Sequence, residues 1–181
     1  MLKKIVSTGF FILFLTGVFT SFYLLNFDHQ GIVYGQEKVV YALPYPGLLP
    51  DHPLYFIKAA RDKLMDLVTR DYIKKANLYL LFSDKRANMA MFLIKKGKNK
   101  LAITTFSKGE KYFWRIPNLL ITSKKQGAGP ASEFIDILKR SNTKHRELIN
   151  ELLKSTPPAQ IKTIEEILKL NQEIKDKLEK L

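Results

Sequence analysis

Few residues in this chain could carry chemistry. There are three histidines, His29, His52 and His145, and no cysteine. That composition leaves no disulfide framework, no thiolate nucleophile and no cysteine-ligated zinc or iron–sulfur centre. A nitrogen-ligated metal needs two or more imidazoles at workable spacing, such as an i, i+4 pair on a helix, and no such pair exists. His52 lies in a Pro-flanked turn and reads as a structural donor. His145 falls on an apolar stripe and reads as a satisfied core or boundary residue. The carboxylate pairs Asp62/Asp66 and Glu165/Glu166 have the spacing for acid–base work, yet Lys58, Arg61, Lys63 and Arg70 are in reach of the first pair. Ser107-Lys108-Gly109-Glu110 lacks the upstream glycine and spacing of a phosphate-binding loop, and no Gly-x-Ser-x-Gly elbow is present. No catalytic residue, cofactor site or metal site is assigned, and the expected role is binding rather than catalysis. A small hydrolase or sensor is the alternative, and a pocket converging on Asp51, His52 and Arg61 would favour it.

Charge is the stronger signal. The 181 residues carry 30 Lys and Arg against 17 Asp and Glu, a formal charge of +13. Most of the excess is local: residues 70–125 hold fourteen basic and three acidic side chains, or +11. Lys95, Lys96, Lys98 and Lys100 gather at one tight connection and are the candidate site for an anionic surface, either lipid head groups or a cell-wall polymer. A solvated basic face is the plainer alternative. Aromatic residues interleave with the cations, among them Tyr79, Phe82, Phe106 and Tyr112, as single-strand binding would require. Their helical spacing makes them core residues instead, and nucleic acid is disfavoured as a partner.

The elements that must position these groups follow from the hydrophobic pattern. Lys3 and Lys4 precede an uncharged apolar run from Ile5 to Phe27, long enough to span a bilayer as a helix. The basic flank sets the N-terminus inside and the rest of the chain outside. Residues 1–27 are therefore expected to be a signal-anchor or transmembrane helix, with the following domain extracytoplasmic. Cleavage near Gly35, giving a secreted protein, is the alternative. Residues 28–52 read as an extended Pro/Gly-rich linker and arm, with Pro44, Pro46, Pro50 and Pro53 denying the backbone donors.

Helices then follow in series. The first is expected from near Pro53, with Asp51 serving its N-terminus and Leu54, Ile57, Arg61, Leu64 and Val68 on one stripe. Leu54, Tyr55 and Ile57 are expected to dock its start onto the other helices. Asp71 is placed as the N-cap of the second and Gly97 as its C-cap. A third is expected from about Asn99 to Ile121, kinked or shortened by Pro117. A fourth runs from about Ala131 to Lys154. Thr156 is expected to cap a fifth, whose near-heptad seam is interrupted by Asn171. No alternating strand pattern persists, so the fold class is all-α: an N-terminal membrane-spanning or signal helix, a Pro-rich arm, and an antiparallel bundle of about five helices. Residues 53–125 form the basic core of this reading, and residues 126–181 a C-terminal helical hairpin extension.

Several stretches are similar to a known family. Leu43–Lys58 (LPYPGLLPDHPLYFIK), Arg61–Leu64 (RDKL), Asp84–Arg86 (DKR), Lys96–Lys98 (KGK) and Ser107–Tyr112 (SKGEKY) resemble domain of unknown function 5667, a bacterial envelope family. The resemblance covers Tyr41 to Leu120, and the tail from Gln126 resembles it less. It implies an N-terminal signal or anchor, then an arm and a set of helices, and it lends no catalytic residue. The implied partners are the membrane, through the N-terminal helix, and an anionic envelope component or an envelope protein.

Overall fold

The computed structural model describes residues 41–181. The expected N-terminal helix, the cleavage position and the first half of the arm lie outside the described residues. All described residues fall in one compact unit. Among them there are six α-helices and no strand: α1 (Tyr55–Val68), α2 (Tyr72–Lys95), α3 (Asn99–Phe113), α4 (Ile116–Lys125), α5 (Ser132–Lys154) and α6 (Ile161–Leu178). A short 3-10 turn, Pro158–Gln160, precedes α6.

Helix α2 is the centre of the unit. It starts where the Asp71 carboxylate accepts from the Lys74 amide at 2.7 Å, satisfying a first-turn donor. It stops at a paired closure: the Gly97 amide bonds the Ile94 carbonyl, and the Lys98 amide bonds that of Leu93. Gly97 sits at φ 71°, a left-handed conformation that a side chain would strain. Between these ends α2 buries residues on nearly every face, because α3 and α4 lie along one side and α5 along another. The apolar core brings Ala87, Ala90 and Leu93 of α2 together with Phe106 of α3, Ile149 and Leu152 of α5, and Ile164 of α6.

Two expectations about helix ends are corrected, and the shortening expected at Pro117 is a full break. The third helix is two, α3 and α4, broken at Trp114–Arg115. Pro117 lacks an amide, and its ring would clash with the carbonyl four residues back, at Phe113, which is the last residue of α3. Thr156 does not cap the last helix; its hydroxyl donates back to the Leu152 carbonyl at 2.6 Å, and Pro157 opens the 3-10 turn. Asp51 does not serve the first helix either. Helix α1 begins at Tyr55, where His52 Nδ1 accepts from the Leu54 amide, and the Asp51 carboxylate instead meets Lys98 at 2.8 Å and Lys96 at 3.1 Å.

The largest correction concerns the orientation of α1. Its stripe exists but faces outward: Leu54 and Ile57 are each 50% exposed, so they do not dock the helix start. The face turned inward carries Met65 and the half-buried Tyr55, and with them carboxylates. Asp62 is buried beside Arg61 and Arg86, and Asp66 accepts from the Tyr79 hydroxyl and pairs with Lys75. Periodicity alone reveals that a helix has two faces, and here buried carboxylates with partners decided which one went in.

The C-terminal pair also differs from an appended hairpin. Leu148, Ile149, Leu152, Ile164 and Ile167 belong to the same core as α2 and α3. Burial predicts the energetics. Ile149→Ala should cost about 2–5 kcal/mol, since Ile149 is fully enclosed. Leu67→Ala, at a side chain 76% exposed, should stay within about 0.5 kcal/mol. Removal of the chain after Thr156 should abolish cooperative unfolding. Urea melts followed by circular dichroism check all three, and a cooperative truncated chain would contradict the shared core.

Candidate functional site

The larger of two buried clusters of titratable groups among the described residues is built from four helices. Helix α2 brings Asp84, α3 brings Glu110, α5 brings Ser141, Asn142 and His145, and α6 brings Asn171. All six are buried. Close approach of α2 and α3 makes this possible: a Cβ on Gly109 would stand 3.1 Å from both the Arg86 Cβ and the Ser83 carbonyl oxygen. Glycine there lets the two backbones near each other, and the next residue, Glu110, reaches the interior.

His145 is clamped on both ring nitrogens. Nδ1 donates to Glu110 Oε1 at 2.5 Å and Nε2 donates to Asp84 Oδ1 at 3.0 Å. Two carboxylate acceptors require two N–H donors, so the ring is an imidazolium. Burial by itself would drive its pKa down, but the Glu110 charge and then the Asp84 hydrogen bond outweigh that effect and hold it at about 9. Phe106 and Phe113 meet the ring edge-on, with centroids 5.6 and 5.5 Å away.

The other carboxylate oxygens are engaged as well, while Asn171 Oδ1 is buried without a partner. Ser141 donates to Asp84 Oδ1 at 2.6 Å, and the Tyr41 hydroxyl to Oδ2 at 2.5 Å. Burial, then the neighbouring Asp84 charge, raises the Tyr41 pKa, so its proton stays on the hydroxyl across the ordinary pH range. Asn171 donates to Glu110 Oε2 at 3.4 Å, and Asn142 and Asn171 each donate to the other's backbone carbonyl. The arm is thereby tied to the centre, and α5 to α6.

A second buried cation lies two residues along α2, on another face of the helix. Arg86 donates to the Phe82 carbonyl at 3.0 Å, meets Asp62 at 3.7 Å, and stacks on the rings of Tyr112 and Phe82. Asp84 and Arg86 thus face two different polar clusters from one short motif, two residues apart on a helix.

The residues singled out by sequence reasoning are mostly elsewhere. Asp51, His52 and Arg61 do not converge: Asp51 holds Lys96 and Lys98, His52 is exposed, and Arg61 bonds Asp62 at 2.8 Å. Lys95, Lys96, Lys98 and Lys100 are all exposed. Lys95 lies over the Phe92 ring, while Lys98 and then Lys96 draw the Asp51 carboxyl down to about 2. Half of the lysine corner is therefore engaged in fastening the arm at Asp51. Of the aromatic residues interleaved with the cations, Tyr79, Phe82, Phe106 and Phe113 are buried, in keeping with a core role for most of them, whereas Phe92 and Trp114 are exposed. His145 was placed correctly as an inward residue, whereas its carboxylate partners Asp84 and Glu110 were not recognised as a pair. The signal available was that DKR and SKGEKY each place an acid on an otherwise inward helical face.

The family model for domain of unknown function 5667 (DUF5667) matches residues 47–181. The chain belongs to that family. The match includes the tail from Gln126, which resembles the family less in its motifs, and with it His145 and Asn171. No curated protein and no solved structure matches the chain. What the DUF5667 domain offers chemically is a charge cluster sealed from solvent: His145 and Glu110 are 0% exposed, and Asp84 is 3%. Among the described residues, no group of three or more His, Asp or Glu side chains is arranged to hold a metal ion.

The cluster makes stability depend on pH with a definite sign. Folding raises the His145 pKa from 6.5 to about 9, so its contribution is whole below pH 6.5 and is lost as pH climbs toward 9. Lys58 acts oppositely above pH 8, because burial lowers its pKa from 10.5 to about 8 and an uncharged amine favours the folded state there. The clean window is therefore pH 6.5–8, where stability should fall with a limiting slope of about 1.4 kcal/mol per unit. His145→Gln should flatten that slope and cost about 3–5 kcal/mol near pH 6.5, since two buried carboxylates lose their counter-ion. Urea titrations at stepped pH measure both, and an unchanged slope in the variant would remove His145 from the account.

Proposed function

We propose that this DUF5667 chain is a membrane-tethered, extracytoplasmic interaction module of the bacterial envelope, and that it acts by binding rather than by catalysis. The observation that carries the reading is the sealing of its polar centre. A general acid or base must come within hydrogen-bond reach of a substrate proton. His145, Asp84 and Glu110 are buried and already engaged with one another, with Tyr41, with Ser141 and with Asn171. They serve the fold, and function falls to the outer surface.

The tether is supported by sequence: Lys3 and Lys4 on the short flank, then an apolar run to Phe27 with no charge. No helix among the described residues is long and apolar enough to cross a membrane. The segment proposed to span is the apolar run from Ile5 to Phe27. The lysine corner at Lys95–Lys100 supports an anionic partner less directly than its charge suggests, because Asp51 occupies Lys96 and Lys98.

Location is the testable core of this reading. Expressed from its own start codon in a bacterial host, the chain should stay with membranes through alkaline carbonate washing. Protease added to the outer face of that membrane should digest the helical domain and leave a short N-terminal fragment. A carbonate-soluble chain, or one protected from outside protease, would overturn the proposal.

A further inference from the structure

Helix α1 turns its apolar side to solvent. Leu67 is 76% exposed, Phe56 67%, Val68 63% and Ile57 50%, with Leu64 between them at 38%. At 100° per residue these side chains fall on one continuous arc. Single exposed apolar residues are ordinary, whereas a contiguous stripe of this kind marks an interaction surface. The opposite side holds Lys58, Asp62 and Asp66 beside the buried Met65, and each of these polar residues, which a solvent-facing helix would normally display, has a partner in the domain. The inversion is thus stabilised from within, and the stripe is left for something outside.

Cationic groups border this stripe. Lys63 and Arg70 are exposed at its edge and its end. Beyond Leu67 lies a cleft of about 430 Å³ whose walls include Arg70, Lys75 and Arg115. Asp66 compensates Lys75, and the nearby Asp71 carboxylate is taken by the start of α2. Among the described residues no carboxylate lies within ion-pair distance of Arg70 or Arg115; Arg115 stacks instead over Tyr79 and Tyr112.

We propose that α1 docks in the interface of an anionic lipid leaflet, with the Phe56–Val68 stripe toward the acyl chains and the Arg70/Arg115 cleft receiving a head-group phosphate. An apolar helical face flanked by cations is the signature of an interfacial helix. Chain length favours this occupant over others. Tyr41 is pinned to Asp84, and only thirteen residues, 28–40, separate it from the end of the apolar run. Thirteen residues reach at most about 47 Å at full extension. The proposal rests on the tethered reading, which then keeps the domain at high effective concentration near the bilayer.

The absence of cysteine allows single reporters. Full-length chains carrying one introduced cysteine, Phe56→Cys, Val68→Cys, Glu166→Cys or Leu15→Cys, would be labelled with an environment-sensitive fluorophore. They would be reconstituted in phosphatidylglycerol vesicles containing nitroxide-labelled lipid. The probes at 56 and 68 should be quenched about threefold more than the probe at the exposed α6 residue Glu166, as expected for a helix lying at the acyl boundary. Quenching should weaken in phosphatidylcholine, with Arg70→Gln, and as salt shortens the Debye length from about 10 Å at 0.1 M to about 3 Å at 1 M. Unquenched α1 probes beside a quenched probe at position 15 would overturn the docking and leave the tether standing. An unquenched probe at position 15 would overturn the tether on its own. Shielding of α1 that rises with protein concentration, equally in detergent, would overturn the lipid in favour of a second copy. Quenching indifferent to charge and salt would overturn the head-group cleft.

Discussion

A charge buried in protein must be neutralised on the spot, and this requirement organises the domain. The His145 imidazolium has no exposure to water, so its two N–H groups need acceptors that bear compensating charge. Glu110 and Asp84 supply them from two other helices. Each carboxylate then needs further donors, which come from Tyr41, Ser141 and Asn171. Satisfying one buried ion therefore fixes the relative placement of the arm, α2, α3, α5 and α6. An apolar core tolerates sliding at modest cost, whereas a network of this kind tolerates very little, because a half-satisfied network is worse than none.

The same requirement explains the inverted helix. Arg86 enters the interior on another face of α2, where it needs its own anion. Asp62 of α1 provides it, with Arg61 bracing the far oxygen. Once Asp62 and Asp66 are drawn inward, the apolar side of α1 has nowhere to go but out. Polar satisfaction within the unit and hydrophobic exposure at its surface are two sides of one arrangement.

Much of the architecture was legible along the chain. The helical class, the cap at Asp71, the closure at Gly97 and the break near Pro117 all depend on local backbone chemistry, which a few neighbouring residues decide. The inward residues of α5 were equally plain, since Leu138, Leu148 and Leu152 repeat at helical spacing. The acid pair was not legible. Asp84 and Glu110 are 26 positions apart and His145 another 35 along, and charged residues in a basic, helical stretch look like surface until their partners are known.

The sequence by itself determined the helices, both ends of α2, the break between α3 and α4, the membership of DUF5667 and the absence of cysteine chemistry, because these depend on residue type and near neighbours. Only the tertiary structure decided which face of α1 was buried, which lysines Asp51 would hold, and that His145 would be a charged ion at the centre of the molecule. Those outcomes depend on energies of desolvation and pairing between residues distant in the chain. A periodic pattern shows that a helix has an apolar side and a polar side, and the partners waiting in the fold determine which of them meets water.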